Sequence, residues 1–296
     1  MTTRWTDTET NTLEGALEII KKPVSDDNSI INWNISIGYD NNQLMQVGGK
    51  NITYNVAKLT YDQITSDDPD TPLEERVRTN SALIIPYFNG SSVNYIINKN
   101  SNAQTILRKL LNYTGRGEIV KNIFDEIDSN FFIWVINRVY SSNFVVETGN
   151  EQFGDINIDA IKEFKGDTED LLTKVSARGE SVMNLISTLS FLLESNKLNQ
   201  IKLDISSSDH LKIEIHLNKI GTIATNDQRY LGAYADLDRD LRKAKMYLLI
   251  YLEIMPALLQ SKRDDDWKRE SHIEFMRTVA EDLTNKINEK VKLLGG

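Results

Sequence analysis

The chain has 296 residues, a formal net charge of −9, 26% charged and 40% hydrophobic residues, and no cysteine. This balance belongs to a folded globular chain rather than a disordered one, and the acidic charge excludes non-specific coating of nucleic acid by the chain as a whole. The absence of cysteine removes disulfides, thiol nucleophiles, zinc knuckles and iron–sulfur clusters together.

The polar stretch Met1 to Asn11 has no apolar leader core, and no segment reaches the roughly 18 consecutive apolar residues of a membrane span. A cytoplasmic protein with no membrane insertion is expected. Asn and Ile each outnumber Ala, a bias that AT-rich codons explain and that fits a low-GC bacterium or a mobile element. The length allows two packed domains, expected at 1–147 and 148–296 with the boundary near Glu147 to Gly154.

In chain order, Leu13, Ala16, Leu17 and Ile20 form a helical stripe that Pro23 stops. Ile31, Trp33, Ile35 and Ile37 alternate with polar residues, and turns at Asp40-Asn41-Asn42 and Gly48-Gly49 lead into further short strands, an antiparallel meander up to about Leu59. The acidic, proline-interrupted Asp67 to Glu75 reads as a loop. Ala82 to Phe88 and Val93 to Ile97 flank a polar turn and predict a hairpin, and a helix follows through Ile106, Leu107, Leu110 and Leu111. Ile119, Ile123, Phe124 and Ile127 continue a helical stripe, and the β-branched and aromatic run Phe131 to Val139 predicts a buried strand. Phe144 to Val146 and Ile156 to Phe164 give extended or short helical pieces.

The spacing of Val182, Leu185, Ile186, Leu189, Leu192 and Leu193 predicts a buried helix. After Asn199 the period becomes two. Ile201, Leu203 and Ile205, then Leu211, Ile213, Ile215 and Leu217, predict a central antiparallel hairpin with a buried aliphatic face and a wet charged one. Leu237, Leu241, Ala244, Leu248, Tyr251 and Met255 trace a long helix that Pro256 kinks or ends. Past a charged joint, Ile273, Met276, Ala280, Leu283 and Ile287 give the narrow seam of a helix pair. The fold class is therefore α+β: an N-terminal mostly antiparallel half, then a helix, the hairpin and a C-terminal helical pair.

Few residues carry chemistry. The polar face of the hairpin collects Lys202, Asp204, His210, Lys212, Glu214 and His216, as residues two apart on a strand share a side. Carboxylates on paired strands suit a divalent ion against a phosphodiester. Asp204 followed by Glu214-Ile215-His216 resembles the Asp then Glu-x-Lys pattern of restriction-endonuclease-like nucleases, with His216 where that pattern has Lys. The resemblance implies metal-dependent hydrolysis by Asp204 and Glu214, assisted by Lys212 or His216. His210, Glu214 and His216 are a zinc-type donor set, but on one extended strand the two imidazoles lie about 20 Å apart at ~3.3 Å per residue. His272 reads as a surface residue. No mononucleotide, dinucleotide, hydrolase-elbow or zinc-protease motif occurs, and Gly115-Arg116-Gly117 reads as an interhelical turn.

A basic set comprises Arg239, Arg242 and Lys243, then Lys262, Arg263, Trp267, Lys268 and Arg269. It offers phosphate contacts and an aromatic for base stacking, with interleaved aspartates as competing partners. The expectation from these features is a non-enzymatic interaction or sensing subunit of a larger assembly, in anti-phage or mobile-element conflict. It is expected to bind a protein partner or a second copy through its last helix and to need no cofactor and no metal. A metal-dependent nuclease and a DNA-binding accessory protein are the alternatives.

Overall fold

The computed structural model describes residues 1–26, 29–66, 68, 70–115, 117–168, 174–178 and 186–294. The chain is a mixed α+β protein whose described residues form two compact units, one of Met1–Ile123 with Leu237–Leu249, the other of Phe124–Asp236 with Ile250–Gly296. It thus leaves the first unit ahead of the Glu147 to Gly154 stretch.

The first unit opens with β1 (Thr3–Asp7), whose alternate residues Thr3, Trp5 and Asp7 are buried. Asp7 is a buried carboxylate with its acceptors filled. Tyr95 and Tyr113 hydroxyls donate to it at 2.8 and 2.9 Å, and the Glu9 and Thr10 amides donate at 2.9 Å each. Burial first, and then the neighbouring Asp7, push both phenols far above their ordinary pKa.

Helix α1 (Leu13–Ile20) starts at Thr12, whose hydroxyl accepts from the Gly15 amide, and buries Leu13, Ala16, Leu17 and Ile20. The strands expected here are present as β2 (Ile30–Ile37), β3 (Gln43–Val47), β4 (Lys50–Tyr54) and β5 (Ala57–Ile64), but they do not form a meander: β2 pairs with β5, and β3 pairs with β4 as a separate hairpin. The expected hairpin is β6 (Val77–Phe88) with β7 (Val93–Ile97). Helix α2 (Ala103–Leu110) ends with Asn112 at φ 56°, its amide on the Lys109 carbonyl and the Tyr113 amide on that of Arg108, a left-handed cap that completes the last turn.

The Ile119 stripe is not helical. Ile119–Lys121 is β8, paired antiparallel to β1. One antiparallel sheet runs in the order β2-β5-β6-β7-β1-β8, with the β3–β4 hairpin attached through β4 to β6. Helix α5 (Arg239–Leu249) also belongs to this unit, and its Asp240 meets Lys58 of β5 at 2.5 Å.

The second unit corrects the reading of Phe131 to Val139: Ser129–Tyr140 is a helix, α3, capped by Asp128 through the Phe131 amide at 2.7 Å. Phe131 to Ile136 are all buried. A helix covered on every side shows no 3.6-residue alternation, so its composition looked like a strand's.

After β9 (Val145–Val146) come β10 (Ile156–Thr168), β11 (Lys174–Arg178), α4 (Ile186–Glu194), β12 (Ser195–Ser207), β13 (His210–Asn218) and β14 (Ile223–Thr225). Val182 and Leu185 of the expected helix lie outside the described residues, while Leu189 and Leu192 are buried in α4. The sheet order is β11-β10-β12-β13-β14, with β9 beside β10. The ladder between β10 and β12 changes register four times. Ile201, Leu203, Ile205, Ile213, Ile215 and Leu217 are buried, as alternation predicts.

The chain also stays helical past Pro256. Ile250–Ile254 forms a π-helical turn and α6 (Met255–Asp264) follows, with Pro256 in its first turn, where the missing N–H needs no partner. The last helix, α7 (Arg269–Leu294), packs on α3 and α4. Its buried residues are Phe275 and Val279, with Phe275 edge-on to Tyr140 at 5.6 Å and the Tyr140 hydroxyl donating to Asp282 at 2.5 Å. The partner of this inner stripe is therefore α3 with α4, not the Leu237 to Met255 stripe.

Candidate functional site

The polar face of β10, β12 and β13 gathers Asp204, Lys212, Glu214 and His216, as their strand parity requires. It is not wet in the way alternation predicts. Asp204 and Glu214 are each only 5% exposed, and Glu163 is 8% exposed.

Cations from three strands and a connector cover the carboxylates. Lys212 Nζ lies 3.2 Å and Lys162 Nζ 3.5 Å from Asp204 Oδ2. Lys202 Nζ lies 3.0 Å from Glu214 Oε1, and Arg229 Nη1 donates to Glu214 Oε2 at 3.2 Å. Lys165 meets Glu163 at 3.0 Å. These lysine side chains keep part of their surface in solvent, while the acids that they meet are nearly covered. Asp204 and Glu214 are thereby buried and paired with cations, the arrangement that makes the burial of such side chains tolerable.

Around this centre the electrostatics follow burial. Asp159, which accepts from Ser206 at 2.9 Å, has its pKa raised by desolvation and by the charge of Asp204. His216 is lowered by desolvation, with Glu163 opposing. Asp204 Oδ1 is buried and has no hydrogen-bond donor. Among the described residues, no group of three or more His, Asp or Glu is placed to hold a metal ion.

Sequence reasoning missed Lys162 and Arg229 here. Lys162 sits at a register shift of β10, between Ile161 and Glu163, so counting by twos along that strand does not give its side. Arg229 comes from the irregular connector after β14.

His210 is a second correction. It is 4% exposed and packed inside a ring of aromatics, with Tyr234 at 4.9 Å, Tyr230 at 5.9 Å and Phe153 at 5.9 Å between centroids. Its Nδ1 shares a 2.6 Å hydrogen bond with the Tyr230 hydroxyl, and burial lowers its pKa. Its neighbours are therefore aromatic rings and not the ion pairs of Asp204 and Glu214. His272, expected at the surface, is partly buried, and desolvation lowers its pKa as well.

The basic set divides between the units. Arg239, Arg242 and Lys243 are on α5, while Lys262, Arg263, Trp267, Lys268 and Arg269 belong to the second unit. Four of those five hold other side chains of their own unit. Trp267 Nε1 donates to Asn130 at 2.9 Å, Arg263 Nε to Glu126 at 3.0 Å, and Lys268 meets Asp266 at 2.6 Å. Lys262 lies 3.7 Å from Asp128 and 5.9 Å from the Phe131 ring centre. With Arg138, whose Nη1 donates to Asp265 at 2.7 Å beside Trp134 Nε1 at 2.8 Å, these contacts tie the α6–α7 joint to α3 and the segment before it.

The chain matches no protein-family model, no curated protein and no solved structure. No helix among the described residues is long and apolar enough to cross a membrane.

Proposed function

We propose that this protein is a non-enzymatic interaction subunit that docks an amphipathic helix of another protein along the outer side of α7. The observation that carries this reading is a helix apolar on two sides. Phe275 and Val279 are buried, while Ile273, Ile287 and Val291 remain 44%, 43% and 61% exposed. Ile273, Met276, Ala280, Leu283 and Ile287 recur at the three-and-four spacing that seats one helix against another. The charged sheet face supports the non-enzymatic part, because its central acids already have lysine or arginine partners.

The test is purification at native abundance of the wild type and of the double variant Ile273→Glu with Ile287→Glu, compared by native mass spectrometry and circular dichroism. The reading expects a defined hetero-complex that the double variant loses while keeping its helix content. An unchanged complex in the variant overturns it, as does hydrolysis of nucleic acid or nucleotide by the purified chain alone.

A second reading is metal-dependent hydrolysis at Asp204 and Glu214. It is favoured by their cross-strand adjacency, with Lys212 alongside, and by the unoccupied lone pairs of Asp204 Oδ1. Magnesium-dependent cleavage abolished by Asp204→Asn supports it; cleavage indifferent to Asp204→Asn removes it.

A further inference from the structure

In the first unit, the C-terminal ends of α1 and α2 enclose an open cavity of about 370 Å³. Its wall carries Lys22, Arg108 and Lys109 against one carboxylate, Asp26, among the described residues. The wall is therefore locally cationic in a chain whose net charge is −9. The apolar part of the wall is Ile19, Val24, Leu110 and the ring of Tyr113.

Cations at helix C-termini ordinarily compensate the dipole or cap the last carbonyls. Backbone amides already do the capping here. The Lys21 and Lys22 amides bond the Leu17 and Ile19 carbonyls, and the Leu111, Asn112 and Tyr113 amides bond those of Leu107, Lys109 and Arg108. Arg108 donates from Nη2 to the Thr114 carbonyl at 2.5 Å, yet its Nε is buried with no acceptor.

We propose that this cavity binds a small phosphate monoester with an apolar or aromatic body. The charge balance of the wall selects the dianion, since a phosphate monoester carries about −1.5 to −2 at pH 7 and a carboxylate only −1. Arg108 and Lys22 take the phosphate oxygens, and Ile19, Val24 and Tyr113 cover the body. A cavity near the lower end of the usual ~300–1,000 Å³ range suits a ligand of mononucleotide size or less. This site stands apart from the α7 reading and is tested without it.

The test is calorimetric titration of the whole chain with phenyl phosphate, inorganic phosphate and benzoate as probes. Expected are saturable one-to-one binding of phenyl phosphate, weaker binding of inorganic phosphate and weaker still of benzoate. Arg108→Gln weakens phenyl phosphate roughly tenfold, the equivalent of one charge-assisted hydrogen bond. Because Arg108→Gln also loses the Thr114 contact, Lys22→Gln at the exposed rim is the second variant, with a loss of about threefold, and Lys50→Gln on β4 is the control with none. Absence of saturable binding overturns the proposal. So do affinities unchanged in both cavity variants, or benzoate binding as tightly as phenyl phosphate.

Discussion

Asp204 and Glu214 stand directly opposite each other on β12 and β13, and each is neutralised by a lysine from the other's strand. Lys212 of β13 crosses to Asp204 at 3.2 Å, and Lys202 of β12 crosses to Glu214 at 3.0 Å. Two like charges on facing residues would push the strands apart, and the diagonal lysines reverse the sign of that interaction. A double-mutant cycle on Asp204→Ala and Lys212→Met, read by urea unfolding, should return a favourable coupling of about 1 kcal/mol. Asp204→Ala alone is expected to cost the larger share, about 2–3 kcal/mol, because it leaves Lys162 and Lys212 facing each other without a counter-charge. Coupling indistinguishable from zero would reduce the pair to mere adjacency.

The joint between α6 and α7 turns on Asp265. Its Oδ2 accepts from both Trp134 Nε1 and Arg138 Nη1, and Arg138 is only 6% exposed. Asp265→Ala should therefore cost about 3–5 kcal/mol, the penalty for a buried charge stripped of its partner. Arg138→Lys should be nearly as damaging. The guanidinium also donates from Nε to the Asn143 carbonyl and from Nη2 to that of Val145, a fan of donors that one ammonium does not reproduce. Thermal unfolding of the two variants measures both effects.

Gly232 has φ 150°, and a Cβ placed there would lie 2.5 Å from the Asp209 carbonyl oxygen and 2.8 Å from both the His210 Cα and the Tyr230 hydroxyl. Two of these three atoms are backbone of Asp209 and His210, which cannot yield as the end of a flexible side chain can. Gly232→Ala should cost at least about 2 kcal/mol and loosen the connector around Tyr230 and Tyr234. Faster amide exchange at Leu231, which bridges Lys212 in β13, would register the loosening.

All 3 histidines of the chain are His210, His216 and His272, and burial lowers the pKa of each. A base whose folded pKa is depressed favours the neutral form in the fold. Its contribution is complete above the unfolded value, about 6.5, and is lost as pH falls through the window between that value and the folded one. Stability measured by denaturant should therefore decline as pH is lowered below about 6.5. His210→Gln should flatten part of that decline, because Tyr230, Tyr234 and Phe153 leave the imidazolium little solvation, with Asp209 the one nearby charge that favours it. An identical pH profile in wild type and variant would take His210 out of the linkage.

The sequence made strand periodicity and turns easy to read. The β3–β4, β6–β7 and β12–β13 hairpins each follow from alternation bounded by Asn, Asp and Gly. It concealed α3, where Phe131 to Ile136 are buried all round and leave no polar face to set a period. It concealed β1 as well, because Thr3 and Asp7 are polar residues turned inward and held by hydrogen bonds. On the sheet face Asp204 and Glu214 are cross-strand neighbours as alternation places them, but the solvent expected over them is excluded, and His210 sits among aromatic rings. How dry Asp204 and Glu214 become depends on Lys162 and Arg229, which a register shift and an irregular connector bring in from elsewhere in the chain.

The stepped ladder of β10 on β12 has a consequence for how this protein tolerates changes of length. Between β5 and β6 the pairs from Ala57↔Ile84 to Ile64↔Val77 run without a break, so one inserted residue would turn every side chain beyond it inside out. Between β10 and β12 the pairing already slips at four places, and an extra residue there only relocates a slip. Insertions and deletions among natural variants of this chain should accumulate in the second ladder and spare the first.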